Sequence, residues 1–489
     1  MEVGILAYGG YIPQSRLQRS EIAKAHSWFN PGLNGLAKGE RAMANWDEDS
    51  VTMAVEAARD CLADSDRGDV SAVYMASTSF PFMDRQNAGI VADALNLSSS
   101  LQTLDFASSQ RAGSAGLSTA LQVAKGGSGP ILFTTAEKRQ TKAASPLEFT
   151  SGDGAAAFLV GQGKVIARLI GSHTEAVDFV DHFRGEGEAY DYNWEERWIR
   201  DEGYLKIVPS AISALLSETG VKAEDITTFC FPVAARGVAA MLAKKLGLPE
   251  SAVADNLQAT CGETGTAHSM VMLAHAIENS KPGDKILVAS FGQGSDALLF
   301  EVTEEINSLS PRKGVSGHLA RRYAETNYGK FLAFHNLINL ERGIRAETDK
   351  KTGLTTLYRN KGMTQAMIGG QCSQCGTAQF PKSNMCVNEN CGAIGTQEDY
   401  PFAERLSKVN SFTADRLTYS PDPPAYYGMI QFEEGGRLMS DFTDISPETD
   451  IQVGMPMRMM FRIKDYDDKR GFRRYFWKAA PADASNKGE

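Results

Sequence analysis

The sequence predicts an α/β protein: two copies of a layered strand–helix unit, then a cysteine knuckle and a small closed β-barrel. Three observations carry this. An ordered series of apolar strands and amphipathic helices occurs twice between residues 69 and 302. Four of the seven cysteines fall in one short cluster, 372–391. Beyond it the helical period gives way to five short strand runs punctuated by turns.

The chain opens with a strand, Val3–Tyr8, and a Gly-Gly turn. Ser50–Leu62 reads as a helix, because Val51, Val55, Ala58 and Leu62 share one face, with Cys61 beside them as a core thiol. The first series follows: a strand from Asp69, a helix Ala88–Leu97, a strand Leu101–Ala107, a helix Ala112–Ala124, and strands from Pro130 and Gly154. The second has a strand from Asp225, a helix Val238–Leu246, a turn and helix in CGETGTAHSMVMLAHAIE, and strands from Lys285 and Asp296. GIVADALNL (89–97) echoes GVAAMLAKKLGL (237–248), and AGSAGL (112–117) echoes TGTAHS (264–269). Alternating strands and helices predict a layered α/β fold with a mostly parallel sheet in each half. Between the halves, Val165–Tyr204 is acidic, aromatic and irregular, either a surface insertion or a cap over a site. After Val302 the pattern stops, and Ile306–Glu341 reads as a linker with a Tyr/Arg-rich helix. The strand runs of the barrel are Lys408–Ala414, Ala425–Glu433, Arg437–Asp441, Met455–Ile463 and Phe472–Ala479. Domains are therefore expected at 1–164, 165–305 with its cap, 306–365 (linker helices), 366–400 and 401–482.

The stretch with most chemical promise is Asp105–Leu117, DFASSQRAGSAGL. A strand ends, a small polar turn follows, and a helix begins, which gathers unpaired N–H groups and a positive dipole end at one spot. That suits a nucleophile or an oxyanion, and Ser108, Ser109 and Gln110 sit there, although the serines also suit helix capping. In the later cluster the spacing is Cys372-x2-Cys375, ten residues, Cys386-x4-Cys391. Two close pairs beside glycines supply four thiolates to a tetrahedral metal, with zinc in a structural role expected and iron compatible with the same ligands.

Composition bounds the rest. A net charge of −10 does not favour nucleic acid or anionic membranes as partners. No run approaches the ~20 apolar residues of a membrane helix. The start, MEVGILAYGGYIP, lacks a basic signal-like region, and the scattered Cys61, Cys230 and Cys261 suit free thiols, so a cytoplasmic protein is expected. Lys464, Lys469, Arg470, Arg473 and Arg474 form a basic run that is either a solvated hairpin or an anchor for a phosphate or for the other domain. Tyr426, Tyr427, Tyr475 and Phe476 suit barrel core better than base-stacking platforms.

Five stretches, ASTSFPF (76–82), IVADAL (90–95), LEFTSGDGAAAFLVG (147–161), SHTEAVDFVDHFR (172–184) and KPGDKILVASFGQGSDA (281–297), together with the duplication, give a resemblance. Residues 1–305 resemble the thiolase superfamily, specifically 3-hydroxy-3-methylglutaryl-CoA synthases of the archaeal and bacterial type. Residues 342–482 resemble the acyl-CoA-associated zinc-ribbon/OB-fold domain found beside thiolase-like enzymes. The resemblance implies duplicated thiolase-like βαβα halves in a layered sandwich, followed by a zinc ribbon and a small OB-type β-barrel. It also implies a coenzyme A thioester as substrate and a homodimer formed through the thiolase-like domain.

In that family a glutamate base, a cysteine nucleophile and a histidine carry the reaction. Here the glutamate position falls near Thr78. The cysteine position falls at Gln110 counting back from Ala112-Gly113, and at Ser108 counting forward from Phe106-Ala107. The histidine position falls near Cys230, and an asparagine of related enzymes falls near Glu263. Without a thiolate, an acyl-enzyme is hard to form. Thiolase-like proteins without the cysteine, paired with this OB-fold domain, imply a retro-aldolase acting on a β-hydroxyacyl-CoA through an enolate. Glu263 or Cys230 would serve as general acid/base, and Gln110 or helix N-terminal N–H groups would hold the thioester oxygen. Ser109, and His268 one turn into its helix, complete the candidate set. Alternatives are a 3-hydroxy-3-methylglutaryl-CoA synthase-like acyltransferase with an unorthodox nucleophile, and a non-catalytic CoA-binding scaffold for a thiolase partner.

Overall fold

In the computed structural model, which describes residues 2–482, nine strands hydrogen-bond into one sheet. In chain order they begin β1 (Val3–Tyr11), β2 (Ala72–Ala76), β3 (Gln102–Phe106), β4 (Ile131–Glu137), β5 (Gly154–Gln162) and β6 (Ala167–Ala176). A separate small hairpin, β7 (His182–Phe183) and β8 (Tyr192–Asn193), follows. β9 (Thr228–Cys230), β10 (Lys285–Phe291) and β11 (Gly294–Val302) complete the large sheet. Its order is β9-β10-β11-β6-β1-β5-β4-β2-β3.

Read outward from the centre, the halves repeat. β1-β5-β4-β2-β3 matches β6-β11-β10-β9, with an isolated parallel bridge from Phe229 to Val253 in the place of a further strand. Only the outer pairs are parallel: β2 with β3 and β4, and β9 with β10. The inner pairs are antiparallel, which corrects the expectation of a mostly parallel sheet. For β10 and β11 the reason is connection length, because the two residues between them cannot make a crossover. β6 was also not legible, since its partly exposed, polar residues lay in the stretch read as irregular.

Among the helices are α1 (Ser50–Leu62), α2 (Asn87–Ala94), α3 (Ala112–Lys125), α4 (Val208–Thr219), α5 (Val238–Leu246) and α6 (His268–Glu278). α1 starts in a capping box: Asp49 accepts from Thr52 N–H at 3.0 Å, and the Thr52 hydroxyl accepts from Asp49 N–H at 2.8 Å. Leu117 and Leu121 of α3 and Met270 and Leu273 of α6 bury with Phe133, Phe158, Val288 and Leu298 in a central core. Each such side chain contributes about 1.5–3 kcal/mol by leaving water. A second core joins α4 and α5 to Phe229, Leu287 and Leu299.

The chain divides into two compact units. The first ends at Ile338, so residues 306–338, expected within a linker, lie inside it. They are tied there by Arg312, which donates to Tyr8 O at 2.7 Å, and by His335, which meets Asp153 at 2.8 Å in the interior. The second unit comprises Trp46–Glu48, Asp93–Asn96 and the chain from Asn339 onward. It holds a three-stranded sheet, β12 (Ile368–Cys372), β13 (Ala378–Gln379) and β14 (Gln397–Pro401). Then come β15 (Ser407–Asp415), β16 (Ala425–Phe432), β17 (Arg437–Asp441), β18 (Pro456–Asp467) and β19 (Phe472–Pro481), antiparallel in the order β17-β16-β15-β18-β19. A bridge from Phe442 to Ala479 brings the two edges together, as an OB-type barrel requires. Tyr475 and Trp477 are core residues of the barrel. Its basic run is matched by acids: Lys464 pairs with Asp441, Arg470 with Asp467 and Asp349, and Arg474 with Asp465. That pairing favours the solvated-hairpin reading over a phosphate anchor.

Candidate active site

The turn between β3 and α3 is pinned from the second half of the sheet. Ser109 Oγ donates to Gly292 O at 3.0 Å, and Arg111 Nε donates to the same carbonyl at 2.9 Å. Arg111 also pairs with Asp296 at 2.9 Å, and Ser114 donates to the other Asp296 oxygen at 2.7 Å. Gly292 must lack a side chain, because a Cβ there would stand 2.8 Å from Ser109 Oγ and 3.0 Å from Arg111 N. Ser108, at φ 69°, is the one residue of the turn in the left-handed region, and it is exposed.

The corresponding turn of the second half faces this one. A Cβ on Gly113 would meet Thr266 O at 2.3 Å, so the two helix entrances touch backbone to backbone. Between them lies a polar cluster. Glu137, fully buried at the end of β4, accepts from Thr78 N–H at 3.1 Å and from the Thr78 hydroxyl at 2.9 Å. Gln110 reaches Thr78 Oγ1 at 3.4 Å, while its own buried Oε1 has no partner. Burial pushes the Glu263 carboxyl above the ordinary carboxylate value, against the pull of Arg139 and His182. Burial likewise disfavours charge on Arg139, yet Asp191, Glu137 and Glu263 offset it and hold the guanidinium charged.

The insertion between the halves covers this cluster, in line with the cap reading. Arg184 donates to Thr78 O and pairs with Asp191, which in turn binds Arg139. His182 Nδ1 meets Asp181 at 3.0 Å, and Gln293 of the β10–β11 turn donates to Asp181 at 3.2 Å. A cavity of about 250 Å³ opens in the cap beside this pair. The wide-turned π segment Ile199–Ile207 follows, carrying Tyr204, whose hydroxyl is pushed up by burial and by Glu263.

Of the five expected residues, Gln110 and Glu263 reach the cluster, and Ser109 holds the turn. Cys230 does not reach it. It is fully buried, donates to Met272 O at 3.7 Å, and burial pushes its thiol up to about 12, which removes it from proton transfer near neutrality. His268 is fully buried as well. Its Nδ1 accepts from Thr264 N–H at 3.1 Å, its Nε2 donates to Asn256 O at 2.8 Å, and burial lowers it to about 4. It is a neutral brace for the start of α6. Glu137, Arg139, Asp191 and the Asp181–His182 pair were missed. The legible signal was a charged AEKR at the end of an apolar strand, where a side chain emerges from the sheet.

The four cysteines of the second unit converge as expected. Their sulfur atoms all lie within 4.8 Å of one another, with Cys372–Cys391 at 3.9 Å and Cys375–Cys386 at 3.5 Å. Metal–sulfur bonds of about 2.3 Å in a tetrahedron place sulfurs roughly 3.8 Å apart, so the set fits one metal ion with no open position.

A family model described as the 3-oxoacyl-[acyl-carrier-protein] synthase III C terminal matches residues 216–300, and one described as the ChsH2 C-terminal OB-fold domain matches 408–462. Hydroxymethylglutaryl-CoA synthases of Methanosphaera stadtmanae and Methanocaldococcus jannaschii are each 31% identical, across 69% of this chain and 99% of their own length. Among solved structures, an HMG-CoA synthase complexed with CoA aligns with a TM-score of 0.59 at 18% identity, covering 72% of this chain and 95% of that one. A 3-oxoacyl-[acyl-carrier-protein] synthase III from Aquifex aeolicus aligns at 0.54 and 21% identity, covering 61% and 99%. Both share the layered fold. No helix among the described residues is long and apolar enough to cross a membrane.

Proposed function

Because the chain belongs to the hydroxymethylglutaryl-CoA synthase family, we propose that it is an acyl-CoA-utilising enzyme that cleaves a carbon–carbon bond of a β-hydroxyacyl-CoA through an enolate, as a retro-aldolase. The observation that carries this reading is the state of the nucleophile turn. Ser109, the one half-buried hydroxyl there, is already donated to Gly292 O, and none of its hydrogen-bond partners is a base. A serine without a base does not attack a thioester.

What the site offers instead is enolate chemistry. In this reading the Gln110 amide, 3.4 Å from Thr78 Oγ1, polarises a thioester oxygen. Glu263, with its raised carboxyl, serves as the proton carrier at the α-carbon. Arg139, itself held charged by Asp191 and Glu137, pulls against that rise. Incubating the full chain with β-hydroxyacyl-CoAs and detecting an aldehyde or ketone together with a shortened acyl-CoA tests the proposal. Finding neither product, with acyl groups transferred instead, favours an acyltransferase. In the same proposal the four cysteines hold a structural zinc that completes the ribbon, and the exposed edge strand β3 pairs two copies into a homodimer.

A further inference from the structure

We propose that the cap cavity seats a bulky apolar substituent on the β-carbon of the substrate, and that His182 at its wall takes the proton of the β-hydroxyl. This rests on the reading above that a β-hydroxyacyl-CoA is cleaved. It adds the class of carbonyl fragment and a catalytic residue.

The cavity, about 250 Å³, is lined by Val180, Tyr192, Trp194 and Trp198, with Asp181 and His182 at one side. A cavity of about 150 Å³ holds benzene, so this one accommodates on the order of ten carbon atoms. Its chemistry is apolar and aromatic, which suits a hydrocarbon group and not a phosphate or the amides of a pantetheine arm. Tyr192 is 58% and Trp194 55% exposed, large rings left open to water in a segment that is otherwise braced. The braces are the β7–β8 pairing, Trp194 N–H donating to Asp181 O at 2.9 Å, and Trp198 stacked on Phe179 at 4.1 Å.

His182 lines the cavity with the Asp181 carboxylate 3.0 Å from its Nδ1, a charge that favours the proton on that nitrogen and leaves Nε2 to the substrate. Gln293 holds the other Asp181 oxygen. The pair also lies within the electrostatic reach of Glu263, where His182 and Asp181 act in opposite directions on its proton. Substrate bridging the two places its α-carbon at Glu263 and its β-oxygen at His182. The Cα–Cβ bond then breaks, and its electron pair becomes the thioester enolate. The hydroxyl proton passes to His182 Nε2 as the C=O bond forms, and the Glu263 carboxyl protonates the α-carbon. An apolar aldehyde and acetyl-CoA leave, and solvent returns a proton from His182 to Glu263.

The full chain is assayed with 3-hydroxybutyryl-CoA and 3-hydroxy-3-phenylpropionyl-CoA, reading aldehyde release. kcat/KM is expected at least ten-fold higher for the phenyl compound, and Trp194→Ala is expected to narrow that ratio at least five-fold. His182→Gln is expected to lower cleavage about 10²–10⁴-fold. α-Proton exchange of acetyl-CoA in D2O, which needs Glu263 alone, should fall at least a hundred-fold less in that variant. Equal kcat/KM for the two compounds, or equal loss of cleavage and exchange in His182→Gln, overturns the inference. So does exchange without cleavage in the unmodified protein. Absence of both cleavage and exchange there instead overturns the parent reading.

Discussion

Glu137 closes on Thr78: one carboxylate oxygen accepts both the Thr78 N–H, at 3.1 Å, and the Thr78 hydroxyl, at 2.9 Å. Thr78 stands where the family resemblance places a glutamate base, so a threonine and a carboxylate from the neighbouring strand now occupy that corner. The carboxylate is spent on holding the loop.

Thr78→Val keeps the shape and removes the hydroxyl donor to a fully buried carboxylate. The expected cost is about 1–3 kcal/mol, because the charge loses a partner it cannot replace with water. Chemical denaturation of the two proteins measures it, and equal stability contradicts the buried contact.

Glu263→Gln is expected to lower turnover by about 10²–10⁴-fold. It should also change the pH dependence of stability. Burial raises the Glu263 carboxyl, so the folded protein keeps a proton that the unfolded chain has released. That contribution is full below the ordinary carboxylate value and is lost as pH rises through the raised one. Relative to the unmodified protein, Glu263→Gln should therefore gain stability from pH 4 to pH 8. A difference constant with pH, from urea titrations at both values, contradicts the assignment.

Cys230→Ala and His268→Gln are expected to act on stability and not on chemistry. Cys230 loses packing in the core, and His268 loses its acceptance from Thr264 N–H. Both variants should unfold at lower denaturant while keeping the kcat of the folded fraction to within about three-fold. A thousand-fold fall in kcat for either, with the fold retained, contradicts their placement.

Metal analysis of the purified chain should give one zinc per chain, and Cys386→Ser should lose it. Chelation should expose the ribbon, residues 366–400, to proteolysis, since metal binding there is folding energy. Well under one equivalent contradicts the zinc reading.

Much of the fold was legible because apolar period and turn residues agree locally. α1 and α5 fall at the expected boundaries, and the five barrel strands appear within a few residues of theirs. β6 was hidden by its polar, half-exposed residues, and strand direction was hidden because it depends on how far a connection must travel. Part of the polar cluster was legible, because the resemblance puts its cysteine position at Gln110 and its asparagine position near Glu263, and both reach the cluster. Cys230 and His268 were misjudged because burial, which sets both pKa values, comes from residues distant in sequence. His182 and Arg139 were missed for the complementary reason: each gains meaning only from a partner, Asp181 or Asp191, held by the cap.

The most direct test of the central claim is mass analysis of one reaction, the full chain with 3-hydroxy-3-phenylpropionyl-CoA. Both the small molecules and the peptide carrying Ser108 and Ser109 are followed through the first turnovers. The account predicts benzaldehyde and acetyl-CoA in equal amounts with an unmodified peptide. An acylated serine in that turn, with no carbonyl product, would contradict it.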